Sequence, residues 1–222
     1  MIYILLFCPV LFSFLYQFCE VEDLSLKYLF RRSTCDYCHQ PLGFTSLIPI
    51  WSFIQLRGRS ICCHQRISRT YLIGELFALI PIIFFYFTFP INSTSYLLTY
   101  LFLLTFAIYD FKTFTLPLHV FIVFSFCVFY LISGEWLFFI LVTLLSHLFY
   151  FLCHKGIGYG DILIFSILSY ILPYNTLVIM LLLTSILATI FGLYYHLCLH
   201  QKNKKIPLLP FVFIAFNIAI LF

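Results

Sequence analysis

The run TLVIMLLLTSILATIFGLYYHLCL, residues 176–199, decides the fold class. It contains no Lys, Arg, Asp or Glu. A helix needs about 20 apolar residues to cross a bilayer core, and this run exceeds that. Working outward, further apolar runs cover residues 1–18, 71–90, 96–109, 117–133, 136–153, 162–173 and 206–222. The whole 222-residue chain is 64% hydrophobic, 22% aromatic and 9% charged, with a mean hydropathy of +1.09. Soluble domains carry about 25% charged residues. The composition therefore excludes an ordinary cytosolic enzyme, a disordered chain and a secreted disulfide scaffold. The expected fold is all-α: a polytopic membrane helix bundle of about eight transmembrane helices with one cytoplasmic Cys-containing loop.

Two runs, 96–109 and 162–173, are short enough to be re-entrant, and charge decides between the alternatives. The twelve Lys and Arg stand at 27, 31, 32, 57, 59, 66, 69, 112, 155, 202, 204 and 205. With eight crossings and an outside N-terminus, all of them face one side, which the positive-inside rule makes the cytoplasm. If 162–173 is re-entrant, Lys202, Lys204 and Lys205 move outside; if 96–109 is, Lys112 and Lys155 do. The first run has no basic n-region and no A-x-A-like cleavage site, so it is read as a retained helix. The expected organisation is a first transmembrane helix at 1–18, a cytoplasmic loop at 19–70 and a bundle at 71–222. No internal repeat and no low-complexity linker are visible. The net charge of +4 is diffuse, with no basic tract interleaved with aromatics, so no nucleic-acid partner is expected.

Chemistry centres on the acids. Asp110 closes the run Ala107-Ile108-Tyr109-Asp110, and Asp161 opens another after Gly158-Tyr159-Gly160. Ionisable groups in such segments are expensive and call for a reason. Both aspartates are expected at the same membrane face, where a bundle can bring them together. Two neighbouring carboxylates hold a single proton between them. The ionised one can then take a proton from water while the protonated one polarises a peptide carbonyl, with no cofactor required. Gly158 and Gly160 permit close backbone approach and φ > 0 before the acid. The plainer alternatives are that Asp161 is a helix N-cap, and that Asp110 is a solvated interfacial residue near Lys112. Glu75 is either a third polar partner or an interfacial residue near Arg69.

Five of the nine cysteines, Cys8, Cys19, Cys127, Cys153 and Cys198, lie singly in apolar stretches and read as small hydrophobes. The others cluster in the polar loop as Cys35-Asp36-Tyr37-Cys38 and Cys62-Cys63-His64. A C-x-x-C knuckle can place two thiolates on one tetrahedral Zn2+ ion. The second knuckle is incomplete, because Ser60 stands three residues before Cys63. Cys62, His64 or His39 would have to supply the fourth ligand, and adjacent Cys62 and Cys63 would strain a shared site. The alternative is a reduced, metal-free loop. The other histidines, His119, His147, His154, His196 and His200, show no metal-binding spacing. There is no G-x-S-x-G, Walker A or Rossmann fingerprint.

Taken in order, these residues resemble the type IV prepilin peptidase family in its compact, competence-type form. The likeness runs through Arg32-Ser33-Thr34-Cys35-Asp36-Tyr37-Cys38, Ile48-Pro49, Arg57-Gly58-Arg59, Cys63, Ile67-Ser68 and Glu75. It continues in Asp110 with Leu116-Pro117, in Gly158-Tyr159-Gly160-Asp161, and in Lys205-Ile206-Pro207-Leu208-Leu209-Pro210-Phe211. The resemblance implies a multi-pass enzyme of the bacterial cell membrane with its active site facing the cytoplasm. Such an enzyme removes a short basic leader from prepilin-like precursors, just before their hydrophobic segment. Asp110 and Asp161 carry over as the catalytic pair, and Cys35, Cys38 and Cys63 match the Cys loop, with Cys62 beside them completing the candidate metal set. Many members also N-methylate the new terminus with S-adenosylmethionine. Two departures bear on that second activity: Ser60 replaces a cysteine, with Cys62 in a position to compensate, and Leu163 stands where many members carry Lys. The competing readings are an intramembrane aspartic protease of the presenilin or signal-peptide-peptidase type, and a proton-coupled transporter.

Overall fold

The computed structural model describes residues 2–21, 32–35, 37–81, 92–152, 158–198 and 205–221. Among them the structure is helical, with two isolated β-bridges and no strand. The helices are α1 (Ile2–Cys19), α2 (Trp51–Gln55), α3 (Arg69–Phe77), α4 (Ser93–Thr113), α5 (Leu118–Leu131), α6 (Trp136–Leu152), α7 (Tyr159–Ile171), α8 (Tyr174–Cys198) and α9 (Leu209–Ala219); a 3-10 turn spans Phe44–Leu47. Two stretches, Ser93–Thr113 and Tyr174–Leu197, are long and apolar enough to cross a membrane, and several shorter apolar helices accompany them. The expected span over 71–90 is described only as far as residue 81. Lys27, Arg31, Asp36, Cys153, His154, Lys155, His200, Lys202 and Lys204 lie outside the described residues.

Contacts divide the chain into two compact units, residues 1–86 and 87–222. In the first, α1 buries Cys8, Phe12, Leu15, Tyr16 and Cys19. Their spacing puts them on one face of the helix. This face packs on α3, where Tyr16 meets Tyr71 edge-on with ring centroids 5.0 Å apart. Gly74 makes the approach possible, because a Cβ there would run into the Phe12 ring. Ser68 starts α3 as its N-cap, its hydroxyl accepting the Thr70 N–H at 3.4 Å.

In the second unit α4 is the axis, and 67% of its apolar window is buried. Tyr96 stacks on Phe216 and Tyr100 meets Phe213, which joins α4 to α9. Phe102 against Phe124 joins α4 to α5, and Phe191 against Phe211 joins α8 to α9. The outer helices face the other way. On α5 the exposed residues Leu118, Ile122, Phe126 and Tyr130 recur every fourth position, and on α8 Leu182, Ile186, Ile190, Leu193 and Leu197 form a similar stripe. Continuous exposed apolar stripes of this kind are liabilities in water and suit a lipid environment.

One end of the second unit is locked by a close backbone approach. Tyr170 donates its hydroxyl to the Ile132 carbonyl at 3.2 Å, and its ring packs on Trp136 and Phe129. A Cβ on Gly134 would run into the Tyr170 carbonyl oxygen, which belongs to backbone and cannot swing away. Gly134→Ala is therefore expected to destabilise the fold by about 1–3 kcal/mol, read as a lowered thermal unfolding midpoint of the detergent-solubilised protein.

Candidate active site and thiol cluster

Asp110 and Asp161 line the same cavity, which has a volume of about 670 Å³. Its walls also include Phe114, Leu116, Gly158, Tyr159, Leu163, Lys205 and Leu208. Asp110 sits in the last turn of α4 and is 8% exposed, so it is not the solvated interfacial residue of the plainer reading. Its Oδ2 accepts the Leu209 N–H at 3.2 Å, and the Leu208 N–H also reaches the carboxylate. These are free amides at the start of α9, where Pro210 occupies the first turn. Past Asp110 the chain turns sharply: Phe114 caps α4 in the left-handed region at φ 57°, its N–H bonded to the Asp110 carbonyl at 2.9 Å. For a bulky residue this conformation is uncommon and costs energy.

Asp161 is not the N-cap of α7. Gly158 is the cap and Asp161 lies three residues later, in the first turn. From there its carboxylate reaches back to the Gly158 N–H, which is the acidic half of a capping box. The Asp161 carboxylate is close enough to feel the charge of Asp110. The glycines serve this arrangement through space rather than through φ. Gly158 has φ −69°, and among the described residues Gly58 is the glycine with positive φ. A Cβ on Gly158 would sit 3.0 Å from Asp161 Oδ2, and one on Gly160 would sit 2.9 Å from the Leu116 Cβ. Tyr159 lines the cavity with its hydroxyl 3.4 Å from Nε2 of His147, whose Nδ1 faces the Thr143 carbonyl at 2.8 Å. Leu163, where the resemblance expected Lys, does line the cavity; a cation enters the wall from elsewhere, as Lys205.

Glu75 belongs to the first unit, is not among the residues lining this cavity and is 8% exposed. It accepts the Ser13 hydroxyl through Oε1 and the Ile50 N–H through Oε2 at 2.6 Å. Ile50 is held at φ 61°, ψ −53°, with the Trp51 N–H bonded to the Pro49 carbonyl. That is a strained γ-turn, worth about 1–3 kcal/mol of cost for a β-branched residue. The carboxylate thus fastens α1, α3 and the Pro49–Trp51 turn together.

The Cys loop forms two matching knuckles, an internal repeat that the sequence reading did not find. In the first, Cys35 N–H bonds Gln40 O at 2.9 Å, His39 N–H bonds Cys35 O at 2.9 Å, and Thr34 bridges Pro41. In the second, Ser60 N–H bonds Gln65 O at 2.8 Å, His64 N–H bonds Ser60 O at 3.0 Å, and Arg59 bridges Arg66. His39 and His64 both turn at φ 55°. The sulfurs of Cys35, Cys38, Cys62 and Cys63 all lie within 4.8 Å of one another. Adjacent Cys62 and Cys63 thus share one cluster with Cys35 and Cys38, the four thiols that the sequence put together. Sulfurs on a tetrahedral ion with Zn–S bonds of about 2.3 Å are spaced about 3.8 Å apart. Cys35 and Cys63, 3.7 Å apart, have that spacing, while Cys38 and Cys62, 3.0 Å apart, would have to separate to reach it; four sulfurs gathered in one cluster are a donor set that suits zinc. The Ser60 hydroxyl, with the Cys38 and Tyr37 N–H groups, lowers the Cys35 thiol to about 6, which favours the metal-binding thiolate. The Cys38 thiol donates to the Cys62 sulfur, which pushes it up to about 12.

Comparison with known proteins bears on both sites. Residues 6–89 match the model of the bacterial peptidase A24 N-terminal domain, and residues 97–193 match that of the type IV leader peptidase family. A prepilin leader peptidase/N-methyltransferase of Aeromonas salmonicida is 30% identical over 217 residues, covering 90% of this chain and 74% of that protein. The chain belongs to the type IV leader peptidase family. A similarly named protein of Aeromonas hydrophila is 29% identical over 218 residues, 90% of this chain and 75% of its own length. The likeness to one from Pectobacterium carotovorum is local, 40% identity over 48 residues, or 22% of this chain and 17% of that protein. No solved structure matches the chain. Membership makes the protein a peptidase and favours the leader-peptidase reading over the presenilin-type and transporter readings.

The Leu208 and Leu209 amides at Asp110, the Lys205 wall and the Ile50 turn were not foreseen. The first had a visible signal, since Pro207 and Pro210 bracket a helix start whose amides need an acceptor. Glu75→Leu would leave the Ile50 N–H and the Ser13 hydroxyl without their acceptor. It is expected to destabilise the protein by about 1–3 kcal/mol, with Glu75→Gln, which keeps a carbonyl acceptor, costing less; thermal unfolding of the two variants side by side measures both.

Proposed function

We propose that this chain is an aspartic leader peptidase of the bacterial cell membrane, cutting the basic leader from prepilin-like precursors. What carries the reading is that Asp110, from the end of α4, and Asp161, from the start of α7, line one cavity. The relatives' name, prepilin leader peptidase/N-methyltransferase, supplies the substrate class. Eight crossings with an outside N-terminus put every Lys and Arg on the cytoplasmic side. In that topology 1–18 is the first crossing, 19–70 a cytoplasmic loop and 71–222 the peptidase bundle. Both aspartates then meet the substrate where its leader joins its hydrophobic segment.

The chemistry follows from the pair. The aspartates hold one proton between them. The ionised carboxylate takes a proton from a water molecule as that water attacks the scissile carbonyl. The protonated carboxyl donates a hydrogen bond to the carbonyl oxygen as negative charge develops there. Collapse of the tetrahedral intermediate passes a proton to the leaving amine and frees the mature N-terminus. The amides of Leu208, Leu209 and Gly158 hold the two carboxylates in place for this exchange. In the first unit, Cys35, Cys38, Cys62 and Cys63 would hold a structural zinc ion, which would tie the two knuckles together.

Asp110→Asn and Asp161→Asn are each expected to lower cleavage of a co-expressed prepilin by at least about 10²-fold while the helical circular dichroism is unchanged. Normal processing by either variant sinks the paired-carboxylate mechanism. Gly158→Ala, whose Cβ would press on Asp161 Oδ2 at 3.0 Å, is expected to slow cleavage by up to about 10²-fold through displacement alone. The N-terminal mass of the product reports where the cut falls and whether a methyl group has been added.

A further inference from the structure

The two knuckles match residue for residue at an offset that pairs Cys35 with Ser60, Cys38 with Cys63, His39 with His64 and Gln40 with Gln65. By that pairing the second knuckle has lost its leading thiol. Cys35 still faces across to Cys63, at 3.7 Å. The mirror of this contact would join Cys38 to residue 60. Instead the atom opposite Cys38 is the sulfur of Cys62, at 3.0 Å. Ser60 is drawn in beside the cluster, 6% exposed, with its Oγ 3.3 Å from the Cys35 sulfur and 3.0 Å from the Cys62 sulfur.

Resting on the reading that the cluster holds zinc, we propose that Cys62 has taken over the fourth ligand position from residue 60, and that Ser60 is now a hydrogen-bond donor to one of the metal-bound sulfurs, that of Cys35 or of Cys62. A serine hydroxyl is a hard, neutral donor and a poor rival to thiolate for zinc. Its single proton can satisfy a thiolate lone pair, which orients that sulfur and spreads its charge. The 25-residue offset between the knuckles is kept, and the ligand moves within it by two positions. Cys62 reaches the place because the chain is already turning there, toward His64 at φ 55°.

The test uses the full chain purified in detergent, loaded with Co2+ to count thiolates by the sulfur-to-cobalt charge-transfer band and with Zn2+ against a chromophoric chelator for affinity. The wild type is expected to show a four-thiolate band. Ser60→Ala should keep that band and weaken Zn2+ by about 10-fold, the lower end of the range for outer-shell partners. Cys62→Ser should lose about a quarter of the band intensity, as expected when one of four thiolate ligands is removed, and weaken Zn2+ by more than Ser60→Ala does. The double change Ser60→Cys with Cys62→Ser should restore both band and affinity. An unchanged band and affinity in Cys62→Ser overturns the ligand assignment, as does a double variant that stays at the level of Cys62→Ser. A wild-type chain that binds neither metal overturns the zinc reading itself.

Discussion

A carboxylate and a helix start solve each other's problem in this protein. The first amides of any helix have no partner within it, and an apolar setting leaves them no water. A buried carboxylate needs donors for the same reason. Asp110 at the end of α4 accepts from Leu208 and Leu209 at the start of α9, so both needs are met at once. The contact also fixes where α9 begins relative to α4, and the stacked pairs Tyr96–Phe216 and Tyr100–Phe213 carry that register along the two helices. The acid proposed to do the chemistry is thus also the one that seats a helix.

The same economy recurs at Asp161. Its backbone N–H bonds Gly158 O at 3.1 Å while its carboxylate returns to the Gly158 N–H, so the acid helps to start the helix that carries it. Both aspartates therefore hold their orientation through backbone amides, which cannot rotate away as side-chain donors can. Proteolysis by a pair that shares a proton depends on such fixity, because a small displacement separates the two oxygens that must cooperate.

Much of the helical order was legible in the apolar runs. The runs at 117–133 and 136–153 became α5 and α6 nearly residue for residue, since Pro117 and Gly134 punctuate them. The joint lining of one cavity by Asp110 and Asp161 depends on how α4, α7 and α9 pack, and no local pattern encodes that. One discarded alternative and one missed repeat had local causes. The N-cap alternative for Asp161 arose because acids favour caps, but Gly158 holds that position and the helix starts three residues earlier. The knuckle repeat was hidden because Ser60 breaks the spacing on which the eye relies. The tail His-Gln, common to both copies, was the surviving mark.

The paired knuckles have a consequence for how such loops drift. Where two copies of a turn face a common centre, a donor missing from one copy can be supplied by a neighbouring side chain, as Cys62 stands beside Ser60 here. In this loop four sulfurs gather round one centre and the chain reverses at both histidines, although the spacing of the cysteines differs between the two copies. A scan keyed to fixed intervals would pass over this loop. One keyed to the twin reversals, with the thiols counted afterwards, would stop at it.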